Sequence, residues 1–149
     1  MKKVFDNQDF FKPIEEALNQ QESVSFLVQG TSMSPTFKHL HTEVFLKQKD
    51  RYLPQDVCLF KMKNKYFLHR LIKINNNRCF FRGDHLYRYE VCQVDQILAY
   101  VYQFKNGDRL MSVNQIRYML KVRFYLIFKQ VKMILRSVYR RVFGGHQSR

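Results

Sequence analysis

A mainly β, α+β fold is predicted: a compact antiparallel β-domain preceded by one helix and followed by a long basic amphipathic helix. Three patterns predict it. Between Ser23 and Tyr102 short apolar runs recur with turn residues between them. Ahead of them Phe10, Phe11, Ile14 and Leu18 fall at helical spacing. Beyond them an apolar stripe repeats at three- and four-residue steps, with Lys and Arg on the other side. These patterns divide the chain into an N-terminal helix (1–22), a β-domain (23–105) and a C-terminal helix (113–143).

In the first segment Asp6 or Asn7 can cap a helix running to about Gln21, and Pro13 places the start near itself. In the second, Val24, Phe26 and Val28 alternate with Ser25, Leu27 and Gln29, until Gly30-Thr31-Ser32 interrupts the run. Strands follow at Glu43–Lys47, Val57–Met62, Tyr66–Ile74, Arg78–Arg82 and Val94–Phe104. Leu53-Pro54-Gln55-Asp56, Asn75-Asn76-Asn77 and Gly83-Asp84 supply turns, and Asn106-Gly107 is a hairpin signal. In the third, Leu120, Phe124, Ile127, Val131, Ile134, Val138 and Val142 form the apolar stripe.

Composition narrows the function classes. The chain has 149 residues and a formal charge of +14. From Arg117 on there are nine Lys or Arg and no acid, so residues 1–116 hold 26 less 9, or 17, basic against all 12 acidic residues. The excess is therefore concentrated in the last helix. Its stripe can pack on the β-domain with the basic face in solvent, or lie on an anionic membrane surface. Nucleic-acid binding ranks last, because no base-reading motif accompanies the charge. Cys58, Cys79 and Cys92 lack CxxC spacing and are expected as small apolar strand residues in a reducing compartment. No apolar h-region follows Met1-Lys2-Lys3, and no run suits a spanning helix. The expected location is the cytoplasm, with a peripheral position at the inner face of the membrane as the alternative. Oligomeric state is not legible.

Three short motifs carry chemistry. In Gly30-Thr31-Ser32-Met33-Ser34-Pro35 a serine lies between a strand end and a proline turn, where its hydroxyl can face outward as a nucleophile must. In Leu68-His69-Arg70-Leu71 a strand carries a histidine, a suitable base at neutral pH. In Arg82-Gly83-Asp84 a turn carries a carboxylate that can hold a histidine's second nitrogen. Each alone is ordinary: a turn, a half-buried strand histidine, a turn-forming Asp. His39 and His41 lack a Cys or acidic partner at metal spacing and read as exposed polar residues, so neither metal nor cofactor is expected. His85, beside Asp84, is a reserve base.

Taken in order, Gly-x-Ser-Met-x-Pro, Asp56-Val57, His69-Arg70, Gly83-Asp84 and Ile97–Val101 resemble the serine peptidases that include type I signal peptidases and LexA-type repressors. The resemblance spans roughly Val24 to Val101. It implies that Ser32 attacks the scissile carbonyl, that His69 is its base as in signal peptidases of the endoplasmic-reticulum type, and that Asp84 supports the histidine. It also implies that Asp56, Arg70 and Gly83 are structural, with Gln55 standing where the family's Gly-Asp-Val turn has glycine. Gly30, Thr31, Met33 and Pro35 would form the oxyanion and substrate-binding region. Signal peptidases usually have a serine at the position of Gly30, so Thr31 or backbone N–H groups must hold the oxyanion here. The function implied is hydrolysis of a peptide bond in a precursor or leader polypeptide. The alternative is a non-catalytic peptide-binding or regulatory module. A self-cleaving regulator would need a cleavable arm, and no Ala-Gly pair precedes Ser32.

Overall fold

In the segment Thr42–Lys47 every second side chain, Thr42, Val44 and Leu46, is buried, the period of a strand with one covered face. In Val57–Phe60 all four are buried, so that strand is covered on both sides. The computed structural model describes residues 7–143. Within them α1 (Asn7–Asn19) precedes eight strands: β1 (Val24–Leu27), β2 (Thr42–Lys47), β3 (Val57–Met62), β4 (Lys65–Asn75), β5 (Arg78–Arg82), β6 (Glu90–Gln93), β7 (Ile97–Asn106) and β8 (Arg109–Ser112). A single 3-10 turn, Val94–Gln96, separates β6 from β7, and α2 (Ile116–Phe143) follows. The strands form one antiparallel sheet in the order β1-β2-β7-β3-β4-β5-β6, with β8 paired to β7. The expected β-domain with a helix at either end is thus observed. Of the described residues, 7–113 form one compact unit, and 114–143, helix α2 with its lead-in, belong to a second.

Several boundaries differ from the expectation. The β-domain does not stop at 105, because the turn after Asn106 returns the chain as β8. Val94–Gln96 is not strand, and β6 forms just before it, pairing Cys92 with Cys79 of β5. Helix α1 runs through Pro13 instead of starting there, and Asp6, the alternative cap, lies outside the described residues. Tertiary contacts hold this helix despite the missing N–H. Phe11 stacks on Tyr66 of β4 with ring centroids 5.0 Å apart and meets Phe26 of β1 edge-on at 5.3 Å. Glu15 accepts hydrogen bonds from Lys61 Nζ, at 2.8 Å, and from the Tyr66 hydroxyl.

On one face of the sheet Cys58, Phe60, Leu71, Cys79, Phe81, Cys92 and Ile97 make a continuous core. The three cysteines are free and buried, as small apolar strand residues. Burial pushes their thiols up, that of Cys92 to about 12, so they stay protonated and unreactive.

The turn before β3 stores strain. Gln55 has φ +84°, a left-handed conformation that costs a residue with a Cβ roughly 1–2 kcal/mol. Three hydrogen bonds hold it: Gln55 N–H to Leu71 O and Leu71 N–H to Asp56 O, both 2.8 Å, and Arg70 Nη1–H to Gln55 O, 2.9 Å. Glycine relieves that cost and loses part of the gain to its freer unfolded state. Gln55→Gly is therefore expected to raise stability by about 0.5–1 kcal/mol. A urea midpoint that stays put or falls contradicts this.

Candidate active site

The chain leaves β1 at Leu27 and turns through Gly30, which takes φ +90°, where glycine is the least strained residue. The following turn closes with Ser34 N–H donating to Thr31 O at 3.0 Å and Phe37 N–H to Met33 O at 2.9 Å. Met33 and Phe37 are buried and pin the turn to the core, while Ser32 between them and the strand stays half-exposed. Gly30 N–H is occupied by His39 Nδ1 at 2.9 Å. Among the described residues, Ser32 N–H has no hydrogen-bond partner.

Ser32 and His69 line one cavity of about 210 Å³, with Met33, Leu68 and the rings of Phe11 and Phe26 among its other walls. Two predicted site residues from distant parts of the sequence thus line one cavity. No hydrogen bond joins Ser32 Oγ to the imidazole. Gly30, Thr31 and Pro35 are exposed and are not among the walls.

His69 is buried on β4. Its Nδ1 lies 3.0 Å from Glu90 Oε2, at the first residue of β6. An ionised carboxylate only accepts, so the proton belongs on Nδ1 and the lone pair on Nε2. Burial holds the imidazole below its usual pKa, and the Glu90 carboxylate pulls the other way without cancelling it. At neutral pH the ring is therefore a free base. The unfolded chain protonates His69 near pH 6.5, the folded protein only at lower pH. This residue's share of stability is thus complete above about pH 6.5 and is lost as pH falls through the lowered value.

The carboxylate at hydrogen-bond distance from His69 belongs to Glu90 and not to Asp84, the expected supporting acid. Asp84 is committed elsewhere: its carboxylate receives Arg70 Nε–H at 2.8 Å and Nη2–H at 2.7 Å, and also the Thr36 hydroxyl. Arg70 and Asp84 are 2% and 1% exposed, so this is a buried bidentate pair. Arg70 also reaches Gln55 O. With Arg70, this carboxylate ties together the turn after Ser32, β4 and the turn before β3, and its charge favours the protonated form of His69. Asp56 caps its own turn, accepting Leu53 N–H at 2.6 Å and pairing with Lys49.

Gly83 explains why the Gly-Asp turn fits. A Cβ there would sit 2.6 Å from the backbone oxygen of Ser32. That oxygen accepts His85 N–H at 2.8 Å, so the two turns dock backbone to backbone. His85 contributes its N–H, and its ring is exposed, as is that of His41. Among the described residues no three His, Cys, Asp or Glu side chains gather as a metal site.

Glu90 and Thr36 are the residues that sequence reasoning missed. The signal for Glu90 lay in Glu90-Val91-Cys92-Gln93, an apolar pair between polar residues after a turn. Read as a strand antiparallel to β5, it sets Glu90 opposite Phe81. Phe81 in turn faces Leu71, two residues from His69.

No protein-family model matches this chain, and a search of curated proteins finds no match.

Proposed function

We propose that the chain is a serine endopeptidase of the signal peptidase and LexA-repressor kind, cleaving an extended segment of a precursor polypeptide. One observation carries the reading: His69, with Nδ1 hydrogen-bonded to a carboxylate, lines the same cavity as Ser32. The motif order around Ser32, His69 and Gly83-Asp84 supports it as a resemblance.

In the proposed reaction Ser32 Oγ attacks the scissile carbonyl carbon and gives its proton to His69 Nε2. Glu90 is a positioning residue that fixes the imidazole and stabilises its charged form. The tetrahedral oxyanion accepts a hydrogen bond from Ser32 N–H, a donor with no partner among the described residues. Collapse breaks the C–N bond, and the leaving amine takes the proton from His69. Water then gives a proton to His69 and attacks the acyl-serine. The ester bond breaks, Oγ recovers its proton, and the new carboxyl end leaves.

Substrate class follows from the strands beside the cavity. β1 ends the sheet order, and β4 pairs with β5 only from Arg70 onward. Among the described residues no strand pairs with residues 67–69 on the β5 side, and β1 has a single neighbour, so an extended chain can add to such edges. The cavity volume suits one apolar side chain of that segment, seated against Phe11 and Phe26.

A fluorophosphonate probe tests the reading. Labelling of the folded protein is expected, with the mass increment on the fragment that contains Ser32. It should disappear on denaturation, because a serine without its base is inert. Absence of labelling, together with an intact peptide library after prolonged incubation, defeats the proposal. The missing Ser32–His69 hydrogen bond would then favour a peptide-binding module.

A further inference from the structure

Helix α2 carries eight Lys or Arg in its 28 residues, Ile116–Phe143, and no acid. At 3.6 residues per turn, Leu120, Phe124, Ile127, Val131, Ile134 and Val138 fall within about 80° of its circumference. All six are exposed. The same geometry sets Arg123 and Arg141 along one edge of this stripe, and Arg117, Lys121 and Lys132 along the other. Both borders of the apolar surface are therefore cationic along a helix about 42 Å long. Such a helix presents two demands at once: an apolar phase under the stripe and negative charge beside it.

We infer that α2 is an interfacial helix that lies in the plane of an anionic lipid bilayer. The stripe sinks among the acyl chains while the bordering Lys and Arg reach lipid phosphates. The charge pattern selects this occupant. A second copy of α2 would set like charges against one another at both borders of the seam. A nucleic acid would meet the cations and leave the stripe wet. A bilayer supplies an apolar layer as long as the helix, beneath a plane of negative charge. No helix among the described residues is long and apolar enough to cross a membrane, so the association is with one surface. This binding is independent of any chemistry at Ser32.

Sedimentation of the whole protein with vesicles is the test. It should pellet with vesicles of phosphatidylcholine mixed with phosphatidylglycerol, stay in solution with phosphatidylcholine alone, and be released by high salt. Each cation near the surface is worth about a fivefold change in partitioning, so Arg117→Gln with Lys121→Gln should weaken it about 25-fold. Phe124→Ser with Ile127→Ser should weaken it at least tenfold for each side chain withdrawn from the acyl layer. Equal binding to both vesicle types, undiminished binding by either double variant, or binding to a DNA duplex with neither vesicle bound overturns the inference. The charge pair and the apolar pair are independent, so misfolding of one variant leaves the other decisive.

Discussion

Ser32→Ala and His69→Ala are each expected to lower the rate of peptide cleavage about 10,000-fold or more, and the double variant to be no slower than either alone. A nucleophile and its base act as a unit, so once one is gone the other contributes little. Ser32 makes no side-chain hydrogen bond among the described residues, so alanine there should leave the unfolding midpoint nearly unchanged. That separates loss of chemistry from loss of fold. The measurement is product formation from a reporter peptide by chromatography, with circular dichroism on the same samples. A Ser32→Ala protein cutting at a tenth of the wild-type rate would remove Ser32 from the reaction.

Glu90→Gln is expected to cost about 1,000- to 10,000-fold in kcat/KM, the scale seen when a histidine loses the acid that sets its tautomer. An amide can present its NH2 group to Nδ1, which moves the proton to Nε2 and blocks the lone pair needed for catalysis. The pH dependence carries a second signature. In the wild type, burial holds His69 low, so the acid limb of kcat/KM should lie below pH 6.5. Glu90 opposes that depression, so removing its charge should move the residual activity's acid limb to lower pH. Asp84→Asn is the contrast. It leaves the Arg70 guanidinium buried without its counter-charge and should cost about 3–5 kcal/mol of stability. If Asp84→Asn shifts the acid limb more than Glu90→Gln does, the roles given to the two acids are reversed.

The strand pattern was legible wherever one face is covered and the other wet, as in Thr42–Lys47. It failed at Glu90–Gln93, where four residues are too few to show a period. Pro13 misled for a different reason: the helix is held by Phe11 and Glu15 against β4, and local propensity cannot report such contacts. In the site, Ser32 and His69 could be singled out only together, because the order of the motifs around them resembles a peptidase pattern while each alone is ordinary. The carboxylate beside His69 could not be, since strand pairing can bring any carboxylate near it. Asp84 looked suitable because it follows Gly83. Its commitment to Arg70 is visible only when β4 and the turn after β5 are seen side by side.

The three reduced cysteines have a practical consequence. They sit on β3, β5 and β6, inside the core and with thiols held protonated. A thiol-reactive dye added to the folded protein can reach them only through fluctuations that part those strands. Its uptake therefore times the breathing of the sheet at three places, with β6, the strand that carries Glu90, as the terminal one. The molecule brings its own stopwatch for the region on which its imidazole depends.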